Sequence, residues 1–176
     1  MAKKKRHSDG TPAAVQLTAA GVPFAVHTYV HDPSTASFGA EAAQALGVEP
    51  ARVFKTLMVR LETVRRAAGV AAEEHAVAVV PVSSRLDLKA AAAALGAKRA
   101  ALADPAVAER LTGYVVGGIS PLGQRHRHRL VLDGSALDAD TVFISGGRRG
   151  LEIELAPADL LAVADGTTAD LAVPGH

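Results

Sequence analysis

The sequence predicts a single mixed α/β domain in which a mixed, barrel-like curved β-sheet is flanked by helices, and three observations predict it. Apolar residues make up 49% of the 176 positions, enough for a chain of this length to bury one core unaided. Helix signals and strand patterns alternate along the chain, which favours one α/β unit over separate helical and sheet parts. The connections between predicted strands include both short hairpins and longer crossovers, so parallel and antiparallel pairs are expected together. No internal repeat and no Gly/Pro/Ser linker divides the chain. Residues 1–10 are expected to form a disordered basic tail, 11–165 the folded domain, and 166–176 a C-terminal tail.

Each element has a local cause. Thr11 and Pro12 supply an N-cap and a first-turn proline, and Gly21 supplies the stop, which predicts a helix between them. Residues 24–30 alternate Phe, Val, Thr, Val against Ala, His, Tyr, the pattern of a half-buried strand with His27 and Tyr29 on one face, where they can line a pocket. A helix is expected over 39–46, ended by Gly47, and a strand over 53–61. Residues 62–75, charged and Ala-rich, read as an extended hairpin connection. The continuous apolar run 76–82 is typical of a buried strand. An alanine-rich helix over 86–95 stops at Gly96, and a further helix covers 105–111. Strands at 141–144 and 151–155 flank Ser145-Gly146-Gly147-Arg148-Arg149-Gly150, and a helix over 157–163 closes the fold.

Composition excludes several function classes. With 19 basic and 18 acidic residues the formal net charge is +1, so no global field draws the chain to nucleic acid or membrane and any RNA contact must be local. Zero cysteines remove disulfides, thiolate metal sites and a cysteine nucleophile. No apolar run approaches the length of a membrane span and the basic N-terminus has no apolar signal segment, so the expectation is a cytoplasmic protein without a membrane partner. There is no Gly-Lys-Ser/Thr phosphate loop, dinucleotide fingerprint, His-Glu-x-x-His or Gly-x-Ser-x-Gly motif. His126-Arg127-His128 has no acidic ligands nearby and reads as a basic loop, so neither metal nor cofactor is expected.

Three features carry candidate chemistry. The segment 112–123 runs from a hydrophobic approach into Gly117-Gly118-Ile119-Ser120-Pro121, where two glycines permit positive φ and close approach of a ligand while the proline biases Ser120 toward extended backbone. It is either a strand ending in a turn or a loop that offers its amides and carbonyls to a substrate. Lys55 shares a face with Val53, Leu57 and Val59, placing an ammonium in an apolar row. It either snorkels to water at the sheet margin or stays beside a cleft as a fixed positive point for a phosphate or developing oxyanion. Thr56 points to the opposite face of a regular strand and reaches the same cleft only if a bulge re-aims it. Residues 145–150 are either a hairpin turn with exposed arginines or an anion cradle in which Ser145, backbone amides and Arg148 or Arg149 grip phosphate.

These motifs, with Thr11-Pro12-Ala13, His27-Thr28-Tyr29-Val30-His31-Asp32-Pro33, Ser37-Phe38-Gly39-Ala40-Glu41, Phe54-Lys55-Thr56-Leu57, Leu86-Asp87-Leu88-Lys89 and Ile153-Glu154-Leu155, occur in an order and spacing that resembles the YbaK family of Cys-tRNA(Pro) deacylases. The resemblance covers about residues 11–163 and extends to the wider group of prolyl-tRNA synthetase-associated editing domains, whose lysine and Gly-x-x-x-Pro loop correspond to Lys55 and to Gly117 through Pro121. It implies the fold of those domains and a trans-editing hydrolase that clears mischarged tRNA without a cofactor, in partnership with prolyl-tRNA synthetase. It also implies a substrate-assisted route in which the cysteine thiol of the substrate attacks its own ester. By the same resemblance Lys55 holds the 3′-terminal phosphate or ribose, and Gly117, Gly118, Ile119, Ser120 and Pro121 shape the pocket through their main chain. Tyr29, Phe38, Thr56, Ser145, Gly146 and Gly147 line the cleft. Glu152 stands where the family commonly has Asp, one methylene longer, which bears on amino-acid selectivity. The alternatives are a deacylase for another small amino acid such as alanine, and a non-catalytic tRNA- or synthetase-binding module. Lys89, Lys98 and Arg99 read as surface charges placed to help an acceptor stem dock.

Overall fold

A computed structural model of the chain describes residues 10–65 and 70–175, with the side chains of 64–72 left aside. Most of the predicted tail, residues 1–9, lies outside the described residues. The helix starts follow the sequence signals closely. In α1 (Pro12–Ala20) the Thr11 hydroxyl accepts from the Ala14 amide at 3.3 Å, and Gly21 closes the helix at φ 72°. In α2 (Phe38–Leu46) Ser37 plays the same part at Ala40, and in α3 (Leu88–Ala94) Asp87 accepts from the amides of Lys89 and Ala90. Helices α4 (Pro105–Thr112) and α5 (Pro157–Ala164) each begin on a proline, whose missing N–H costs nothing in the first turn.

Strand β1 (Ala25–Thr28) is shorter than the 24–30 expectation, and Tyr29 lies just beyond its end. The largest difference from the sequence reading is at 62–75. Strands β2 (Phe54–Arg65) and β3 (Val70–Pro81) stay in antiparallel register from Phe54↔Pro81 to Arg65↔Val70, so most of the presumed connection is strand, and residues 66–69 lie outside the described residues. Charged side chains mask this strand pattern, because the ladder here is solvated and its charges pair across strands, as in Arg60–Glu73 at 3.3 Å. Short strands follow: β4 (Ser84–Leu86), β5 (Arg99–Leu102), β6 (Leu130–Asp133), β7 (Val142–Arg148) and β8 (Leu151–Leu155).

The stretch expected to be a C-terminal tail contributes β9 (Thr167–Ala169), parallel to β6, and β10 (Ala172–Pro174), antiparallel to β4. Between them Leu171 is fully buried, and Asp133 accepts from the amides of Leu171 and Ala172 at 2.8 and 2.9 Å. Burial raises the Asp133 carboxyl, but hydrogen bonds from the Ser135 hydroxyl and then from the Leu171, Ala172 and Ser135 amides together outweigh it and hold the group below the usual carboxylate range.

The main sheet has the order β9-β6-β3-β2-β5 and mixes parallel with antiparallel pairs. A second, antiparallel sheet has the order β1-β8-β7, and a bridge from Val53 to Phe143 joins the two without closing a barrel. The principal core fills the space between the sheets, with Phe54 and Met58 of β2, Val77 and Val79 of β3, Ile144 of β7, Ile153 of β8, and Leu17 and Leu160 from α1 and α5. Ala76, Ala78 and Val80 point to the other face of β3 and pack with Ala91 and Leu95 of the α3 region. Burial on both faces is why 76–82 reads as an unbroken apolar run.

Candidate active site

Strand β2 is flanked by β3 along its whole length, but its other edge is shared. Near its start it meets β7 through the Val53–Phe143 bridge, and farther along it pairs with β5 from Val59 to Glu62. The Ala103 amide donates to the Met58 carbonyl at 3.0 Å, so the second contact begins there. Between these two neighbours the edge of β2 is left open, and the opening is a cavity of about 340 Å³ lined by every residue from Val53 to Met58. The remaining walls come from Phe38 at the start of α2, Leu102 and Ala103 at the end of β5, Ala108 of α4, the loop residues Val116, Gly117 and Ile119, and Ser145 and Glu152 of the second sheet. Both Lys55 and Thr56 therefore reach the same space. No bulge is needed, because the open edge exposes both faces of the strand end.

Lys55 makes no ion pair with any described residue, and burial lowers its pKa from the ordinary lysine value. Opposite chemistry is supplied by Glu152, 94% buried (6% exposed), whose register partner across the β7–β8 ladder is Ser145. Burial pushes the Glu152 carboxyl up to about 8, so at neutral pH it is mostly protonated. Thr56 Oγ1 is buried without a hydrogen-bond partner among the described residues. The other hydroxyls are occupied: Ser37 caps α2, and Ser145 Oγ accepts from the Gly147 amide at 3.2 Å. The lining contains no histidine and no cysteine, and therefore no nucleophile paired with an imidazole base. Among the described residues no three His, Asp or Glu side chains gather as metal ligands.

The loop between α4 and β6 is held from every side. Val116 donates its amide to Glu109 Oε2 at 2.8 Å, and its carbonyl accepts from Arg149 Nε and Nη2 at 2.9 and 2.7 Å. The Arg149 guanidinium also lies over the Phe38 ring, 5.0 Å from its centroid. Tyr114 Oη donates to the Leu122 carbonyl at 2.7 Å, and Gln124 Nε2 to the Ser120 carbonyl at 2.9 Å. Gly117 has φ 91°, and a Cβ there would stand 2.8 Å from Phe38 Cε1 and 2.9 Å from Arg149 Nε. Only glycine fits both the backbone angle and the space.

Of the residues singled out from sequence, Phe38, Lys55, Thr56, Gly117, Ile119, Ser145 and Glu152 line the cavity, and the others sit behind it. Tyr29 packs on Ala42, Ala43, Val53 and Phe143; burial, then the Glu152 and Glu41 carboxylates, push its phenol up to about 12. Gly118 lies under the Arg148 backbone. Ser120 is fully buried, with its Oγ accepting from the Leu122 amide at 3.3 Å. Pro121 borders a separate pocket of about 220 Å³ with Gln16, Gln124 and His128. Gly146 and Gly147 form the bulge of β7, packed on Leu151 and on Tyr114 with Thr11 respectively. Sequence reasoning missed Met58, Leu102, Ala103 and Ala108 as walls and Arg149 as a brace. Strand β5 is only Arg-Ala-Ala-Leu, too short for a legible alternation, although Asp104-Pro105 does mark the helix start beside it.

A split sheet whose pocket presents a half-buried cation, a buried carboxyl and a braced glycine loop, with no histidine or cysteine in its lining, is suited to a substrate that arrives already activated. The chain belongs to the aminoacyl-tRNA editing domain family, whose model matches residues 32–163. It is 33% identical over 171 residues, 97% of this chain and 98% of the relative, to EbsC of Enterococcus faecalis (strain ATCC 700802 / V583), provisionally named a Cys-tRNA(Pro)/Cys-tRNA(Cys) deacylase. It is also 32% identical over 92 residues, 52% of this chain and 55% of the relative, to the multifunctional Ser/Thr-tRNA deacylase ProXp-y of Escherichia coli (strain K12). Among solved structures, a protein provisionally described as a trans-editing enzyme for prolyl-tRNA synthetase superposes with a TM-score of 0.74 at 27% identity, covering 92% of this chain and 95% of that one. The hypothetical protein APE2540 superposes at 0.77 with 28% identity, over 93% and 100%. No helix among the described residues is long and apolar enough to cross a membrane.

Proposed function

We propose that this protein is a trans-editing aminoacyl-tRNA deacylase that hydrolyses the ester of mischarged Cys-tRNA(Pro), and of Cys-tRNA(Cys), using the substrate's own thiol as nucleophile. The observation that carries this reading is the pocket itself: Lys55, unpaired and half-buried, faces the same space as the Gly117 loop, and no histidine or cysteine joins them. An aminoacyl ester is already activated, so positioning and charge are enough. The Lys55 ammonium holds the 3′-terminal phosphate or ribose, and the main chain around Gly117 orients the ester carbonyl and amino group. The cysteine sulfur then attacks the carbonyl carbon; the carbon–oxygen bond to the ribose breaks, the ribose hydroxyl leaves with the thiol's proton, and water opens the resulting thiolactone to free cysteine. Glu152, neutral near pH 7, is placed to donate a hydrogen bond into the small side-chain pocket. The protein acts in the cytoplasm beside prolyl-tRNA synthetase, which supplies the mischarged substrate.

A second reading has a specific observation behind it. Glu152 replaces the shorter Asp common in the YbaK family, and the partial relative ProXp-y is named for Ser/Thr-tRNA, so a hydroxylated or otherwise small cargo such as alanine is the competing substrate. Purified protein incubated with Cys-tRNA(Pro), Cys-tRNA(Cys) and Ala-tRNA(Pro) separates the two. The cysteinyl esters are expected to disappear faster than in buffer, and Lys55→Ala to lose about a hundredfold or more of that rate. Preferential loss of Ala-tRNA(Pro), or of Ser-tRNA(Pro) run beside it, favours the second reading, and no acceleration on any of the four esters removes both.

A further inference from the structure

The arginines whose side chains are described fall into two groups. Arg52, Arg60, Arg99, Arg127 and Arg129 each meet a carboxylate, at distances from 2.9 Å for Arg99–Glu62 to 3.9 Å for Arg127–Asp165. Arg85, Arg110, Arg125, Arg148 and Arg149 meet none among the described residues, and all are exposed; Arg85 stands apart on β4, away from the other four. These four gather on one segment. Arg110 belongs to it; Arg125 Nη1 donates to the Arg110 carbonyl at 3.3 Å, and Arg125 Nε lies 3.5 Å from where a Cβ on Gly113 would stand. Arg148 backs onto Gly118, and Arg149 holds the Val116 carbonyl. The same segment presents Val116 and Gly117 to the cavity. A chain with a net charge of only +1 thus gathers guanidinium groups that meet no carboxylate along the segment that supplies one wall of its pocket.

We infer that Arg110, Arg125 and Arg148 form a docking surface for the phosphodiester backbone of the RNA stem whose 3′ end enters the cavity. This rests on the deacylase reading for the identity of the RNA. Guanidinium groups free of carboxylates are the groups that exchange counterions for phosphates, and these three belong to or lie against residues 110–118, whose Val116 and Gly117 line the cavity that takes the terminal ester. Of the charges picked out by sequence, Lys98 and Arg99 do not belong to this surface, since Arg99 is tied to Glu62 at the far end of β2, and Lys89 lies in the first turn of α3. Arg149 is committed to the loop and the Phe38 ring and serves mainly as a brace.

The test uses the full chain, the triple variant Arg110→Glu/Arg125→Glu/Arg148→Glu, and Arg85→Glu as a control at an exposed arginine of β4 that also lacks a carboxylate partner. Two substrates are compared across a salt series: Cys-tRNA(Pro), and 3′-O-cysteinyl adenosine, which has no stem. The triple variant is expected to lose about tenfold or more in kcat/KM on the tRNA at low salt, with a shallower salt dependence, while cleaving the cysteinyl adenosine at the wild-type rate. Arg85→Glu should match wild type on both. Unchanged tRNA cleavage by the triple variant overturns the inference, and so does an equal loss on both substrates, which would place the arginines in the pocket's own machinery. If wild type cleaves neither substrate, the deacylase reading fails separately, and binding of uncharged tRNA still decides the surface. Binding weakened by the triple variant sustains it; absent or unchanged binding removes it.

Discussion

Lys55 and Glu152 show how differently two ionisable groups of one pocket are legible, the lysine half-buried and the glutamate buried. The lysine announces itself from sequence because it interrupts an apolar period-two row, and the cavity edge explains why that row tolerates it. The glutamate does not, because Leu-Glu-Ile-Glu-Leu reads as an ordinary alternation with both carboxylates outward. In the structure Glu152 is 6% exposed and faces the pocket while Glu154 pairs with His27 at 2.9 Å. The family resemblance, not the pattern, marked the position. A carboxyl raised to about 8 when folded, against 4.5 when unfolded, binds its proton more tightly in the native state, so it costs stability as pH rises from 4.5 to 8. Glu152→Gln should therefore gain stability relative to wild type across that window, by on the order of a few kcal/mol above pH 8 and by nothing near pH 4, with Tm rising in step. Thermal melts at several pH values check this; a constant difference would mean that Glu152 is not buried as described.

At the scale of elements, the glycine loop and the β7–β8 turn act as one unit. Sequence reading left 112–123 open between a strand ending in a turn and a shaped loop, and 145–150 between a hairpin and an anion cradle; the first has a turn but no strand, and the second is a hairpin with a bulge. What no local pattern encodes is that Arg149 of one turn grips Val116 of the other and stacks on Phe38 at the head of a third element. That convergence is tertiary. A side chain at Gly117 would strike both Phe38 and Arg149, so Gly117→Val is expected to abolish deacylation about as fully as Lys55→Ala, with a stability cost of about 1–3 kcal/mol. Ser120→Ala, which removes a buried hydroxyl that accepts the Leu122 amide, should cost about 1 kcal/mol of stability and leave turnover within a few-fold. Denaturant melts alongside initial rates separate the two effects. A folded, fully active Gly117→Val would remove the loop from the mechanism.

Across the whole molecule, helices α1, α2 and α5 were legible to within a residue or two because caps and prolines are local signals, whereas the partition of strands between sheets was not. The 62–75 ribbon hid behind charge, and β9 and β10 behind the appearance of a tail, because pairing with β6 and β4 stabilises three-residue strands that have no pattern of their own. Leu171 is the anchor of that segment: it is fully buried among Val59, Leu61 and Val131. Leu171→Ala should cost about 2–5 kcal/mol in urea unfolding, and a value within experimental error of zero would mean the terminal strands do not close the core. The main sheet, completed by β9, and the second sheet leave an edge of β2 open between them, and on the proposed route this opening supplies position and charge while the substrate supplies the nucleophile. The most direct test is the ratio of single-turnover deacylation rates for Cys-tRNA(Pro) and Ser-tRNA(Pro), which differ by sulfur against oxygen in the same place. Cysteine should be cleaved at least about a hundredfold faster. Equal rates would contradict substrate-thiol attack and return the search for a nucleophile to the protein and its bound water.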